Sequence, residues 1–584
     1  MIGTKARQHW ILLVLYGAVA LPAMAQPVPR RDDPAADGWD TEVFSAAVES
    51  QLKRVGALLL DPAKIGPGTL AVLATDKVIC TPLRDDDATR VFDDGMIVAD
   101  RNDGNAGPRA ARHRGKEGLA EALRDLATSH AGNTDRRVKF KVFRIQNQVD
   151  QVVTRQFFSA SGRGPNGSFE QHAVWDCAWT AAGDGPPRLT SIILRDFEQT
   201  QLRGTDQTLF GDCTVSVLGS NDSFQQQIMR GTVDWAGQVQ SALGLDLSGY
   251  QGLAVGDANG DGLEDVYVCQ AGGLPNRLFM QNLDGTAGDR SMAAGVDLLD
   301  RTNSALFIDL DNDGDQDLAV GTRPALLLMS NDGSGRFKLR RSLPHVTRAY
   351  TMAAADYDND GRLDLYVCRY APDEVKWDTA PGPIPYHDAN NGPANYLLRN
   401  QGGWRFVDVT ERVGMDTANR RFSFAAAWED FDNDGDQDLY VANDFGRNCL
   451  YRNDGGHFAN VAELAGVEDI ASGMSASWGD IDRDGFMDLY VSNMFSGAGG
   501  RIAYQRRFGP GRSRTTLEHY QRMARGNTLF VNGGDGSFRD VSDQAGVTMG
   551  RWAWGSVFAD LNNDGWQDIL VANGFLSSES SGDL

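Results

Sequence analysis

The chain has 584 residues, a formal net charge of −23 and 41% hydrophobic residues. This length predicts two or more domains, because a single hydrophobic core rarely serves more than about 250–300 residues. The strong acidity argues against a nucleic acid partner, which would need a basic binding surface.

Residues 1–25 have the features of a secretory signal peptide. Basic residues precede an apolar run from Trp10 to Leu21, and the small-residue segment Ala23-Met24-Ala25 follows as a cleavage site. The run is too short for a membrane span, which takes about 20 apolar residues, and no later segment qualifies as one. We therefore expect a bacterial protein that is secreted or periplasmic, with residues 26–41 as a linker.

Residues 42–200 lack any repeat and are expected to form a separate α+β domain. Apolar periodicity predicts two helices, from Glu42 to Leu60 and from Gly115 to Leu126. Four runs of strand-forming residues follow the second helix. These runs cover residues 138–145, 151–158, 170–179 and 188–195.

This order of helices and long strands resembles nuclear transport factor 2-like domains. The resemblance implies a cone-like fold that serves small enzymes as well as dimerisation and binding modules. His172 and Asp176 lie on one face of a predicted strand and are candidate pocket groups. An ordinary solvated strand face is the favoured explanation for them, so no catalytic residue is assigned.

The C-terminal two-thirds of the chain contains six copies of a nine-residue acidic loop. Positions 1, 3 and 5 carry Asp or Asn, position 6 is always Gly, position 7 varies, and position 9 is always Asp. The candidate metal ligands, with position 7 acting through its carbonyl, are Asp257, Asn259, Asp261, Leu263, Asp265, Asp309, Asp311, Asp313, Asp315, Asp317, Asp356, Asp358, Asp360, Arg362, Asp364, Asp430, Asp432, Asp434, Asp436, Asp438, Asp480, Asp482, Asp484, Phe486, Asp488, Asp560, Asn562, Asp564, Trp566 and Asp568.

Oxygen ligands in this spacing favour calcium. A set of oxygen donors suits a hard cation, and Ca²⁺ accepts six to eight oxygens with more flexible geometry than Mg²⁺ does. The glycine at position 6 permits the sharp turn that brings alternate side chains to one point. The alternative is a set of acidic turns without metal, but the carboxylates would then repel one another. We therefore predict about six calcium ions with a structural role, and their ligands also explain most of the net charge.

The loops lie within a longer repeat. Each loop is followed by a strand-forming run such as Leu439-Tyr-Val441, and a second half-repeat, such as Asn448–Asn453, comes after it. The loops recur about every 50 residues, with two longer intervals, and about four short strands fit each unit. This pattern predicts a mainly β fold with a six- to seven-bladed β-propeller over residues 201–584. Residues around 209–250 are expected to complete a blade with the C-terminal strands.

The units resemble FG-GAP/VCBS repeats, whose propeller blades carry the same calcium loop. Met549–Gly555 and Asn573–Phe575 are more narrowly similar to bacterial cartilage-acidic-protein-like propellers, which often continue into an ASPIC/UnbV module. The resemblance implies an adhesion or binding module for a protein or polysaccharide ligand.

No segment matches a common catalytic motif such as HExxH, GxSxG or a Walker loop, so nothing specifically predicts an enzyme. The alternative function is an exported carbohydrate-active hydrolase or lyase. Such an enzyme would show basic and acidic side chains converging beside a deep pocket. The six cysteines lack zinc spacing, and Cys269 and Cys368 are predicted to be small buried residues.

Two insertions between the repeats are the other functional candidates, because excess loop length is often functional. The first, from Arg369 to Ala394, contains Trp377, Tyr386 and His387. The second, from Met494 to Gly526, contains seven arginines that could clamp an anionic ligand or, as the favoured alternative, pack on the acidic propeller. These arginines are Arg501, Arg506, Arg507, Arg512, Arg514, Arg522 and Arg525.

Overall fold

The computed structural model describes residues 39–574, apart from residues 86, 103–109, 130–131, 149, 165–166, 182–184, 205–209, 232–233, 236–237, 239–251, 371–381 and 506. The predicted signal peptide and most of the predicted linker lie outside these residues. Among the helices in the described part, none is long and apolar enough to cross a membrane.

The N-terminal part is an α+β unit built on one eight-stranded sheet. The sheet has the order β2-β3-β8-β7-β6-β5, with β1 beside β8 and β4 beside β1. Its helices are α1 (Asp40–Leu60), α2 (Pro67–Leu70) and α3 (Gly115–Thr128), with a 3₁₀ turn at Pro62–Lys64. Its strands are β1 (Ala74–Cys80), β2 (Thr89–Asp93), β3 (Ile97–Arg101), β4 (His113–Arg114), β5 (Thr134–Asn147), β6 (Gln151–Gly164), β7 (Gly167–Thr180) and β8 (Leu189–Arg203).

Helices α1 and α3 cover one face of this sheet and enclose the core. Phe158, Trp175 and Trp179 point to that face and are almost fully buried, together with Leu52 and Leu123 from the helices. The alternation of buried and more exposed residues along β6 and β7 follows from the two-residue side-chain period of a strand. The predicted α+β character of the N-terminal part is confirmed, while its bounds as a domain and its relation to nuclear transport factor 2-like domains stay predictions.

The remaining strands form six antiparallel sheets, five with four strands and the last described one with two. The first three sheets are β9 (Leu253–Gly256), β10 (Asp265–Val268), β11 (Arg277–Gln281) and β12 (Ala287–Asp289), then β13 (Thr302–Ile308), β14 (Asp317–Thr322), β15 (Leu326–Ser330) and β16 (Lys338–Leu343), then β17 (Thr351–Ala355), β18 (Asp364–Cys368), β19 (Tyr396–Asn400) and β20 (Phe406–Asp408).

The other three sheets continue the repeat. They are β21 (Phe422–Glu429), β22 (Asp438–Asp444), β23 (Cys449–Asn453) and β24 (Phe458–Asn460), then β25 (Gly473–Gly479), β26 (Asp488–Asn493), β27 (Thr528–Asn532) and β28 (Phe538–Asp540), then β29 (Ala553–Ala559) and β30 (Asp568–Asn573). Short helices connect them: α4 (Thr214–Leu218), α5 (Ser291–Ala294), α6 (Ala462–Ala465), α7 (Gly497–Ile502), α8 (Arg514–Met523) and α9 (Ser542–Ala545), with a π-helical turn at Phe224–Ile228.

The sheets follow one another as propeller blades. The first strand of each sheet packs beside the first strand of the next, from β9 through β13, β17, β21 and β25 to β29. Apolar clusters fill the spaces between sheets; the one between the third and fourth blades includes Tyr357, Leu397, Leu439 and Tyr451. The predicted mainly β propeller fold is confirmed.

The segment before the first loop differs from its prediction. The expectation was a strand contribution from residues around 209–250, but α4 and the turn at Phe224–Ile228 are helical. They lie against the outer part of the first blade, where the Asn221 side-chain amide donates to the Ala287 carbonyl at 2.7 Å. Residues 239–251 of that prediction lie outside the described part of the chain.

A buried Tyr–Asn pair explains why the second half-repeat begins with an asparagine. The Tyr440 hydroxyl of β22 donates to the Val467 carbonyl at 2.8 Å and accepts from the Asn448 amide at 3.0 Å. Because a buried hydroxyl without partners would cost free energy, each asparagine keeps its tyrosine satisfied. The same Asn-to-Tyr bond recurs in three other blades, in the pairs Asn276–Tyr267, Asn395–Tyr366 and Asn527–Tyr490.

The second insertion joins the two parts of the protein. The Arg501 guanidinium of α7 contacts the Glu42 carboxylate of α1 at 2.9 Å and donates to the Val142 carbonyl of β5 at 2.7 Å. The Arg501 and Glu42 side chains are only 7% and 14% exposed. Phe495 adds an edge-to-face contact with Phe157 at 5.7 Å between ring centroids.

Replacing Arg501 by leucine is expected to weaken this junction. The change leaves a largely buried Glu42 carboxylate without its partner, which costs about 3 kcal/mol or more. Calorimetry should show the N-terminal part unfolding at a lower temperature than in the unmodified protein. The control is Arg514→Leu, because Arg514 is 92% exposed. Equal unfolding profiles for Arg501→Leu and the control would contradict this role for Arg501.

Candidate metal centres

Each acidic loop is held by hydrogen bonds from its backbone to its own carboxylates. In the fourth loop, the Asp430 carboxylate accepts from the amides of Asp434 at 3.0 Å and Gly435 at 2.9 Å. The Asp434 carboxylate accepts from the Asp436 amide at 2.9 Å. Equivalent bonds to the position 1 carboxylate occur in all six loops. The carboxylates at positions 1 and 5 therefore hold the backbone in a curl, in addition to the turn that the sequence predicted from the glycine at position 6.

Two positions in each loop have left-handed backbone conformation. Gly435 at position 6 has φ +93°, which explains why glycine recurs there. Asn433 at position 4 has φ +59°, a conformation that asparagine tolerates better than most residues. Position 4 was not assigned a role from the sequence, although asparagine in four of the loops was the available signal.

The position 9 aspartate connects the loop to the blade. Asp438 is fully buried, and its carboxylate accepts from the Phe431 amide at 3.2 Å and from the Asn453 amide at 2.7 Å. It therefore bonds both to its own loop and to the third strand of its sheet. The position 9 residues of the first, second and fifth loops make the same pair of bonds, at Asp265, Asp317 and Asp488. In the third loop, Asp364 accepts from the Asn400 amide at 2.6 Å.

Four loops bring three carboxylates to one point. Within each set, one ligand oxygen from every residue lies within 4.8 Å of the others. The sets are Asp309, Asp311 and Asp317; Asp356, Asp358 and Asp360; Asp430, Asp432 and Asp438; and Asp480, Asp482 and Asp488. In the first and sixth loops position 3 is an asparagine, and its amide donates to the position 5 carboxylate at 2.9 Å in both cases.

Burial and crowding raise the pKa values of several carboxyl groups in positions 3 and 9. Burial is the main cause and neighbouring carboxylates add to it, so that the pKa of Asp364 rises to about 7 and that of Asp438 to about 8. The position 3 residues Asp311, Asp358 and Asp432 shift in the same direction for the same reasons. A positive charge placed beside these groups would therefore favour their ionised form.

Several of these oxygens also lack a hydrogen-bond donor. Among the described residues, Asp364 Oδ2, Asp358 Oδ1 and Asp432 Oδ1 are buried without a partner. A buried carboxylate oxygen is normally satisfied by a donor or a cation. Converging carboxylates of which some oxygens lack a donor fit a divalent cation with oxygen ligands, so the residues present suit the metal that the loops predict.

The third loop differs because arginines enter it. The Arg399 guanidinium contacts the Asp358 carboxylate at 2.6 Å and the Asp360 carboxylate at 3.0 Å. Arg362 at position 7 also pairs with Asp360 through its side chain. These contacts place positive charge beside the carboxylate cluster, which the sequence pattern alone did not indicate. The carbonyl role predicted for position 7 stays a prediction.

The loops of neighbouring blades are tied together. The Asn453 amide donates to the carbonyl of Tyr357, which is position 2 of the preceding loop, at 2.8 Å and to the Gln437 carbonyl of its own loop at 3.1 Å. Asn331, Asn400 and Asn532 make the same two bonds in their blades. The final asparagine of the second half-repeat is therefore a link between blades.

A second link runs from position 4. The Asn433 amide donates to the carbonyl of Gly485, the position 6 glycine of the next loop, at 3.0 Å. Asn312 makes the equivalent bond to Gly361 at 2.7 Å, and Arg483 reaches Gly565 in the same way. The candidate metal centres are thus neighbours in a hydrogen-bonded row along one end of the blades.

The other sequence candidates lie elsewhere. The two insertions meet at Tyr386 and Tyr520, whose ring centroids are 6.3 Å apart, and at His387 and His519, which are 5.6 Å apart. Trp377 and Arg506 lie outside the described residues.

Arg522 contacts the Asp469 and Asp540 carboxylates at 2.8 Å, so this arginine packs on the propeller as the favoured alternative predicted. Cys269 and Cys368 are buried as expected, and all six cysteines are free.

Replacing Asn453 by alanine is expected to destabilise the propeller by about 3 kcal/mol. The change leaves the buried Tyr357 carbonyl and the part-buried Gln437 carbonyl without this donor, at about 1–3 kcal/mol each. Chemical denaturation followed by tryptophan fluorescence would measure the loss. Asn390→Ala is the control because Asn390 is exposed. A free energy of unfolding equal to that of the control would show that the link contributes little.

Comparison with known proteins supports the repeat assignment. Residues 257–320, 309–367, 430–491 and 520–571 match the FG-GAP-like repeat family. Cartilage acidic protein 1 of Xenopus tropicalis is 31% identical over 138 residues, which is 22% of this chain and 21% of that protein. The human protein of the same name is 27% identical over 166 residues, which is 27% of this chain and 25% of that protein. The matches thus span about a quarter or less of these relatives.

Solved structures with some likeness include a lectin from Agrocybe aegerita, described with the recognition of non-reducing terminal N-acetylglucosamine. It is 12% identical, with a TM-score of 0.31, over 76% of this chain and 96% of the lectin. The Kfla4162 protein from Kribbella flavida is 13% identical, with a TM-score of 0.19, over 27% of this chain and 92% of that protein. From the four family matches and the curated relatives, we conclude that this chain carries FG-GAP-like repeats and has weak homology to cartilage acidic protein 1.

Proposed function

We propose that this protein is an exported, calcium-stabilised β-propeller that serves as a binding or adhesion module for a protein or polysaccharide ligand. The observation that carries the proposal is the convergence of three carboxylates in each of four loops, with a buried oxygen that lacks a donor at Asp358 and at Asp432. Such oxygen clusters suit Ca²⁺, and their place between linked blades gives the ion a structural rather than a catalytic role. A rigid ring of blades then presents its loops to a ligand.

Mass action sets the size of the calcium effect. Extracellular calcium modules bind with dissociation constants of about 10⁻⁴–10⁻³ M. At a calcium concentration about ten times that constant, each site adds roughly 1.4 kcal/mol to the stability of the folded state. Six sites together add on the order of 8 kcal/mol, which is comparable with the net stability of a whole domain.

Removal of calcium should therefore lower the unfolding temperature of the propeller strongly. The measurement is a thermal melt of the purified protein in millimolar calcium, in EGTA, and in EGTA followed by excess calcium. Magnesium in place of calcium should restore little, because Mg²⁺ demands a smaller octahedral site and gives up its water reluctantly. An unchanged melt in EGTA would reject calcium as the stabilising ion.

A second candidate function is a carbohydrate-active hydrolase or lyase. It is favoured by a group of basic and acidic side chains beside a large cleft, where the Asp176 carboxylate contacts Arg155 at 2.6 Å and Arg195 at 2.8 Å. His172, the other pocket candidate from the sequence, lies on the same sheet and contacts Glu170 at 3.1 Å. These pairs are equally suited to binding a ligand without turnover.

Binding and turnover can be separated with one protein preparation. We expect the calcium-loaded protein to bind members of a glycan and extracellular-protein array while releasing no product from the glycans it binds. Product release measured by reducing-end or unsaturated-sugar assays would favour the enzyme instead. The absence of binding to every class on the array would contradict the proposed module.

A further inference from the structure

A large cleft separates the N-terminal sheet from the last blades of the propeller. Its volume is about 1710 Å³, which exceeds the roughly 300–1000 Å³ of sites for drug-sized ligands. One wall is the face of β5, β6 and β7 opposite the helices, with Lys139, Phe157 and His172. The other wall comes from the second insertion and the segment before β29, with Tyr504 and Arg551.

The strand register brings basic side chains together on the first wall. Lys139 pairs with Ser159, Lys141 pairs with Phe157, and Arg144 pairs with Arg155 across β5 and β6. These residues share the face that α1 and α3 leave uncovered, since the alternate residues Phe158 and Trp175 lie in the core. The basic residues therefore belong to one continuous surface.

The charge of this cleft is opposite to that of the protein. Nine lysines and arginines line it against four aspartates and glutamates, while the whole chain has 56 basic and 79 acidic residues. Lys53 and Lys139 are exposed there and form no ion pair among the described residues. An excess of cations gathered in one cleft of an acidic protein indicates an anionic ligand.

Some of these cations are already oriented. Arg155 and Arg195 both contact the Asp176 carboxylate, which holds the two guanidiniums in place beside the cleft. Across the cleft, Arg551 is near enough to Glu170 to help the His172 imidazole hold the pKa of that carboxyl below its usual value. Fixed guanidiniums bind carboxylates with less loss of side-chain entropy than free ones.

Aromatic rings lie between the charges. Phe143 and Phe157 are stacked with centroids 4.2 Å apart, and the Arg144 guanidinium covers the Tyr504 ring at 3.2 Å. Trp552 also lines the cleft. Apolar ring surfaces beside cationic groups suit a ligand with flat C–H faces and carboxylates, which is the chemistry of a uronate-containing sugar chain.

A peptide ligand fits the cleft less well. Exposed strand edges bind peptides through main-chain pairing, but α7 covers the edge of β5 at Val142 and Phe143. Arg501 donates to the Val142 carbonyl at 2.7 Å, and a Cβ placed on Gly500 would lie 2.9 Å from the Phe143 carbonyl oxygen. The cleft therefore offers side chains rather than a strand edge.

We propose that this cleft binds an acidic oligosaccharide, with Lys139 and Arg551 contacting its carboxylates and the aromatic rings lining the sugar path. The proposal names the ligand class and the site of the binding function proposed above, and it rests on that function. It places recognition in the space between the two parts of the chain, away from the calcium loops.

The test measures binding of a fluorescently labelled galacturonic acid hexamer to the full chain in excess calcium, by anisotropy. The variant Lys139→Glu/Arg551→Glu should weaken binding about tenfold or more, which corresponds to about 1.4 kcal/mol. The control Lys77→Glu/Arg514→Glu changes the net charge equally at exposed positions outside the cleft and should change affinity less than about twofold. Both variants should melt like the unmodified protein.

Ligand controls fix the chemistry. The methyl-esterified hexamer keeps the sugar rings without the carboxylates and should bind about tenfold or more weakly. A glutamate hexapeptide carries similar charge without sugar rings and should also bind more weakly.

Equal affinity of the two double variants, of the two hexamers, or of the sugar and the peptide would overturn the proposal. So would the absence of hexamer binding. Each of these results can be told apart from failure of the proposed binding module. That function fails only if the protein binds no ligand on the array.

Discussion

Buried carboxylates that face one another are the constraint on which the propeller depends. Each unit gathers carboxylates from one short loop, and the last of them, such as Asp438, is fully buried at the start of the central strand. The same group fixes the loop and the third strand through two backbone amides. A cation at this point would neutralise the repulsion between the carboxylates and leave their hydrogen bonds intact. The same aspartate would then bind the metal and hold the strands of the blade together.

The row of loops also explains how the blades stay in register. Asn453 joins its own loop to the preceding one, and Asn433 joins it to the following one. Because each link ends on a backbone carbonyl, displacement of one loop disturbs its neighbours on both sides. The N-terminal sheet is held separately, through Arg501 and the second insertion. The protein thus combines a series of blades joined by local bonds with an N-terminal unit held by a largely buried ion pair and by the contacts beside it.

The sequence indicated the periodic parts of the structure because their physical causes repeat. The ligand spacing, the glycine of the loop and the strand-forming runs each predicted a local structure that was found. Contacts and segments that occur only once in the chain could not be predicted from the sequence. The entry of Arg399 into the third loop, the helical segment at Phe224–Ile228 and the contact of Arg501 with Glu42 all depend on residues distant in the chain. The same holds for the cleft, whose charges come from strands and insertions that sequence reasoning treated separately.

The central claim is that calcium occupies the acidic loops and holds adjacent blades together. Anomalous difference density from a crystal grown in calcium tests it most directly, because it locates each ion. The account predicts peaks between positions 1, 3, 5 and 9 of the loops, including the cluster of Asp430, Asp432 and Asp438. Density without peaks at these loops, in crystals grown with calcium well above the dissociation constants of about 10⁻⁴–10⁻³ M, would contradict it.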